Sequence, residues 1–161
     1  ANTAVFELSH ASESLSGMGT TLVAAVEDEE DFKIVNVGDS RAYILAGGRL
    51  RQITRDHSLV EDMVRRGDIT REESRSHPNK NVITRAVGAS GTVESDIFEE
   101  KLSDGDMILL SSDGLTNVVT DAEIEKTLLG SDTLRHACER LIDLTLERGA
   151  PDNVTVAALR R

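Results

Sequence analysis

Asp113 and Asp152 are the side chains of this 161-residue sequence whose surroundings point most directly to chemistry. The stretch Asp106-Met107-Ile108-Leu109-Leu110-Ser111-Ser112-Asp113-Gly114 is an apolar run that stops abruptly, which predicts a buried strand delivering one carboxylate to its end. Met107 to Leu110 has no polar alternation, so both faces of that strand should be covered. An ionised carboxylate held there is costly unless a cation or hydrogen-bond donors compensate it. The competing reading is a plain Asp-Gly turn, and on this stretch alone the two weigh equally. Asp152 follows the rigid turn Gly149-Ala150-Pro151 and precedes a terminal strand, Val154 to Leu159. If the two strands are antiparallel neighbours, the end of one and the start of the other place both carboxylates at one edge of the sheet. Like charges in a low-dielectric site repel, and a divalent cation is the ordinary remedy. Oxygen ligands favour Mg or Mn over Zn, and no Cys/His cluster argues otherwise.

Around these two residues, the chain reads first as β and then as mixed. Ala4, Val5, Leu8, Ala11 and Leu15 fall near helical spacing, with no N-cap before them, so a helix is expected to begin upstream and to end at Gly17 and Gly19. Thr21 to Val26 reads as a buried strand, Glu27 to Asp31 as an acidic turn, and Phe32 to Val37 as a second strand. Gly38-Asp39-Ser40 leads into Arg41 to Leu45, and Gly47-Gly48 closes a hairpin onto Arg49 to Ile53. Four strands in a row predict one antiparallel sheet. Three capping boxes then start helices: Ser58 with Glu61, Thr70 with Glu73, and Thr120 with Glu123. Gly67 to Lys80 is polar and is expected to be a mobile surface flap, stopped by His77-Pro78. Val82 to Gly88 and Val93 to Leu102 read as strands. Leu134, Cys138, Leu141, Ile142 and Thr145 form the apolar face of a long helix, on which Cys138 is a core residue and not a nucleophile.

Composition bounds the function. With 39% hydrophobic residues, the chain can bury one core, and one domain is expected. Four aromatics and no Trp argue against base-stacking platforms, and a formal net charge of -11 argues against a phosphate-backbone partner. A single cysteine requires no oxidising compartment, and no apolar run is long enough to cross a membrane, so a cytoplasmic protein without nucleic-acid or membrane partners is expected.

Six segments occur in the order seen in one family. Gly17-Met18-Gly19-Thr20-Thr21-Leu22, Val37-Gly38-Asp39-Ser40-Arg41-Ala42-Tyr43, Thr54-Arg55-Asp56-His57-Ser58-Leu59-Val60, Asn81-Val82-Ile83-Thr84-Arg85-Ala86-Val87-Gly88, Ser112-Asp113-Gly114-Leu115 and Asp152-Asn153-Val154-Thr155 resemble the metal-dependent, type 2C protein phosphatases, most of all their bacterial branch. The resemblance implies an α+β fold, a β-sandwich of two antiparallel sheets flanked by helices (α-β-β-α). It also implies hydrolysis of phosphoserine and phosphothreonine at two core Mn or Mg ions, with a third, weaker one. By that resemblance Asp113 and Asp152 match metal-binding aspartates, Asp56 matches the aspartate that helps hold the third ion, and Gly67 to Lys80 matches the flap beside the active site. Partners would be phosphorylated substrates of a Ser/Thr kinase.

The family's upstream Asp-Gly motif, phosphate-binding arginine and histidine have no counterpart here, and no aspartate precedes Gly17. Residues 1–161 therefore resemble the C-terminal two-thirds of one catalytic domain that lacks its N-terminal strands. Weak activity and dimerisation through an exposed strand edge are expected of such a piece. A non-catalytic regulatory or binding module on the same fold is the alternative. His10, His57, His77 and His136 do not replace the missing groups, and His57 reads as a turn residue.

Overall fold

Two antiparallel sheets pack face to face in the computed structural model, which describes residues 1–28 and 31–161. The first sheet has the order β1-β2-β5, from Leu22–Asp28, Asp31–Val37 and Asp96–Lys101. The second has the order β4-β3-β6-β7, from Arg49–Gln52, Arg41–Ala46, Met107–Ser111 and Val156–Arg160. The helices are α1 (Asn2–Ala11), α2 (Leu59–Arg66), α3 (Arg71–Ser76), α4 (Asp113–Thr116), α5 (Asp121–Leu129) and α6 (Leu134–Glu147). No helix among the described residues is long and apolar enough to cross a membrane.

Side-chain alternation on β3 and β6 divides the core into two layers. Tyr43, Leu45, Met107 and Leu109 face outward and meet Leu115, Ile124, Leu128 and Leu141 of the helices. Ala42, Ile44 and Ile108 face inward and meet Phe32 and Ile34 of the other sheet. β6 is thus sealed from both sides, which explains its unbroken apolar run. Each such buried Leu or Ile contributes about 1.5–3 kcal/mol through its removal from water.

Four expectations need correction. The four consecutive strands do not form one sheet, because the β1–β2 and β3–β4 hairpins belong to different sheets and the chain crosses between them at residues 38–40. β1 is not buried: it is an edge strand whose Leu22 and Val26 are exposed, and small branched residues suit a half-covered strand as well as a covered one. Val82 to Gly88 is not a strand, and only the isolated bridges Ser58–Ile83 and Thr20–Val87 tie that segment down. The boxes at Thr70 and Thr120 are reciprocal, whereas Ser58 accepts from the Glu61 N–H and the Glu61 carboxylate turns instead to Arg71. The turn expected at Glu27 to Asp31 includes Glu29 and Glu30, which lie outside the described residues. The polar segment after Gly67, expected as a surface flap, contains α3, buries Ser74, and is tied to α2 by the Arg71–Glu61 pair.

Candidate metal centre

β6 ends at Ser111 and β7 begins at Val156, and their antiparallel pairing brings the two aspartate segments together. Ser112 is the N-cap of α4, but its hydroxyl does not cap that helix. It accepts from the Thr155 N–H at 3.1 Å and donates to the Asn153 carbonyl at 3.4 Å, while the Ser112 N–H donates to the Thr155 carbonyl at 3.0 Å. Gly114 makes the approach feasible: a Cβ there would lie 2.2 Å from the Asn153 carbonyl oxygen. Its backbone is not left-handed, so Asp113-Gly114 is not the plain turn that competed with the site reading, and the glycine serves close packing instead.

Asp113 opens α4 and accepts from the Asn117 amide at 3.0 Å. Burial, and then the charge of Asp152, raise its carboxyl above the ordinary range. A third carboxylate belongs to the same group, that of Asp39 on the crossover between the sheets. Burial pushes it up to about 6, with further contributions from the charges of Asp113 and Asp56. The charge of Asp152 thus acts on Asp113, and that of Asp113 on Asp39. Among the described residues these pairs do not close into a cluster of three or more ligating side chains.

Asp56 lies on the same cavity but is already engaged. Arg41 Nε donates to its Oδ1 at 2.9 Å, Arg41 Nη2 donates to its Oδ2 at 2.7 Å, and Gln52 adds a bond to Oδ1 at 3.2 Å. Burial opposes the Arg41 charge, yet the fork of bonds to Asp56 outweighs it and keeps the guanidinium protonated. The cavity has a volume of about 290 Å³, and its lining includes Asp39, Asp113 and Asp121 together with Arg71, Arg75 and Lys80 from the α3 region. Acidic and basic side chains thus line one shared space.

A family model for protein phosphatase 2C matches residues 4–154. The chain belongs to the protein phosphatase 2C family. It is 45% identical over 147 residues to the serine/threonine phosphatase stp of Listeria innocua, a match that takes in 91% of this chain and 58% of that protein. It is 38% identical over 146 residues to protein phosphatase PhpP of Streptococcus pneumoniae, with 90% and 59% covered. The serine/threonine phosphatase Stp1 from Staphylococcus aureus matches with a TM-score of 0.94 at 38% identity, covering 99% of this chain and 63% of that one. The catalytic domain of PstP in complex with two manganese ions matches with a TM-score of 0.89 at 38% identity, covering 98% and 65%. The chain spans 58–59% of the length of these two curated relatives.

Within this phosphatase fold, the structure brings Asp113 and Asp152 together as their spacing predicts. It places Asp56 beside them with both oxygens bonded to Arg41. Asp39 was missed, because Gly38-Asp39-Ser40 reads as a connection between strands. The available signal was an aspartate after a strand end, the same pattern that singled out Asp113. His57 was also misread: it is 6% exposed and bonded to the crossover through its ring, so it is not a turn residue. Cys138 is half-buried and its thiol is pushed up by burial and then by Glu139, which fits packing and not nucleophilic chemistry.

Proposed function

We propose that the whole protein containing this chain is a Mg- or Mn-dependent phosphatase that hydrolyses phosphoserine and phosphothreonine in substrates of a Ser/Thr kinase. The observation that carries the reading is a cavity lined by the partly buried Asp39 and Asp113 together with Arg71, Arg75 and Lys80, beside which β6–β7 pairing brings the exposed Asp152 close to Asp113. Asp39 and Asp113, raised by burial and by neighbouring carboxylates, fit a hard cation, which removes the repulsion that raises them. Asp113, Asp152 and Asp39 would hold such ions. Asp39 takes the place expected of Asp56, whose oxygens Arg41 already occupies. When bound, the ions supply a water acidic enough to attack phosphorus and positive charge opposite the phosphoryl oxygens.

The chain's own residues do the rest. Asn117 orients the Asp113 carboxylate, and the Arg41–Asp56 pair fixes another part of the cavity lining. Arg75 and Lys80, which line the same cavity, attract the phosphate dianion to it. Asp113 and Asp152 act as ligands, so no phosphoenzyme forms. For residues 1–161 alone we propose weak metal affinity and low turnover, because the family's upstream Asp-Gly carboxylate has no counterpart among them.

Asp113→Asn in the whole protein should remove release of phosphate from a phosphothreonine peptide in Mn and leave the circular dichroism spectrum and melting temperature near those of the parent. Turnover of that variant at the parent rate would sink the reading.

A further inference from the structure

We infer that His57 is a positioning residue for Asp39: without touching metal or substrate, its imidazole holds the Gly38 backbone in the geometry that aims the Asp39 carboxylate at the cavity. The inference rests on the metal role proposed for Asp39 and adds the residue that sets its direction.

Gly38 is the point of weakness in the crossover. It has a φ of +106°, and a Cβ there would lie 2.4 Å from Thr21 Cγ2, so only glycine fits. Glycine is also the least restrained residue, and β2 has ended at Val37, so the Gly38 N–H and C=O have no partners in the sheet ladder. His57 supplies both. Its N–H donates to the Gly38 carbonyl at 2.9 Å, and its Nδ1 accepts from the Gly38 N–H at 3.0 Å. Asn36 adds a bond from its amide to the same carbonyl at 3.3 Å, and Thr21 and Ser40 join hydroxyls at 2.8 Å beyond it.

The ring is itself held in one tautomer. Because Nδ1 accepts from a backbone donor, the imidazole proton sits on Nε2, which lies 3.2 Å from Asp96 Oδ2 and 3.1 Å from Arg85 Nη1. Arg85 donates to the other oxygen of that carboxylate at 2.7 Å. Burial alone would raise Asp96, but the bonds from Arg85 and His57 hold it below its ordinary range, as a firm acceptor. The Thr84 N–H donates to the His57 carbonyl at 2.8 Å and fixes the imidazole's own backbone. A line of contacts thus runs from Asp96 on β5, through the ring, to the residue before Asp39. Partners one step behind a ligand commonly set its orientation and affinity for metal.

Two replacements separate the halves of the ring. His57→Asn keeps an oxygen near the Nδ1 position and can still accept from Gly38, whereas His57→Gln sends its amide to the Nε2 position and leaves Gly38 without an acceptor. The test is a Mn²⁺ titration of the 161-residue chain, read by paramagnetic broadening of the Asp39 and Asp113 amide resonances, with hydrogen exchange of the Gly38 amide read in parallel. Broadening registers weak binding, so high affinity is not required. His57→Gln should weaken binding about tenfold and speed Gly38 exchange by a similar factor, while His57→Asn stays within about twofold of the parent.

Equal affinity in the parent and both variants would overturn the inference and leave the metal reading standing. Equal loss in both variants would also overturn it, since the imidazole would then matter only for packing. No broadening at Asp39 or Asp113 in the parent would overturn the metal reading and this inference with it. If His57→Gln fails to fold, Asp96→Ala replaces it, at a side chain 31% exposed. That variant should lose about threefold in affinity through release of the tautomer, and unchanged affinity would overturn the inference.

Discussion

On the four-stranded sheet, Ile108 and Leu109 of one strand are sealed from opposite sides, by the other sheet and by the helices. On the three-stranded sheet, Phe32 and Ile34 are sealed inward, while Leu22, Val26 and Ile97 are exposed. The two sheets accordingly position carboxylates by different means. Asp113 and Asp152 are carried at the rim of a two-sided apolar core, where packing and one close-approach glycine set the geometry. Asp39 leaves the half-covered sheet at a glycine, and polar bonds from His57, Asn36 and Thr21 hold its neighbours in place. Packing is strong but indifferent to small polar changes. Hydrogen bonds at a glycine are weaker and specific, so the Asp39 side of the site is the easier one to disturb.

The largest effect should come from the sealed core. Leu141→Ala removes a fully buried side chain and should cost about 3–4 kcal/mol in chemical denaturation, whereas Val26→Ala on β1 should stay within about 0.5 kcal/mol. Similar costs at both positions would break the contrast between the sheets. Gly114→Ala comes next, at about 2 kcal/mol, because its Cβ would meet the Asn153 backbone and push residues 152–155 away from Asp113. A crystal structure of that variant with the two segments still in place would show that packing there is looser than the contact implies.

The smallest effect sharpens the polar side. Asp39 is raised to about 6 in the folded chain from an ordinary value of 3.8. Between those values the folded chain binds more protons than the unfolded one, so stability without metal should fall as pH rises from about 4 to about 6 and level off above. Solvent reaches part of the carboxyl, which limits the contribution to about 1 kcal/mol. Asp39→Asn should flatten that part of the profile, read as denaturation midpoints from pH 4 to pH 7. A profile of unchanged slope would place the titrating group elsewhere, with Asp113 the next to replace.

Where a feature is written in a short window, the sequence displays it. The apolar run of β6, the Gly47-Gly48 hairpin, the caps at Thr70 and Thr120 and the helical stripe that includes Leu141 and Thr145 are all local patterns, and each stands where it was expected. The sheet edge shared by Asp113 and Asp152 was legible for the same reason: both residues flank strands, and antiparallel pairing does the rest. Asp39 and His57 were not, because nothing local distinguishes a ligand-bearing crossover from a turn, or a buried imidazole from an exposed one. The same limit hid the engagement of Asp56, since its partner Arg41 lies 15 positions away on β3.

By itself, then, the chain determined its strands and helices, two carboxylates at one sheet edge and its family, through spacing and motifs that need no knowledge of distant neighbours. Only the tertiary structure decided that the first two hairpins part company between sheets and that Asp39 joins Asp113. It also decided that Arg41 claims Asp56 and that His57 grips the crossover. These depend on which surfaces meet when the sheets stack, and on which oxygens are left for solvent or cations once every nearer donor has been placed.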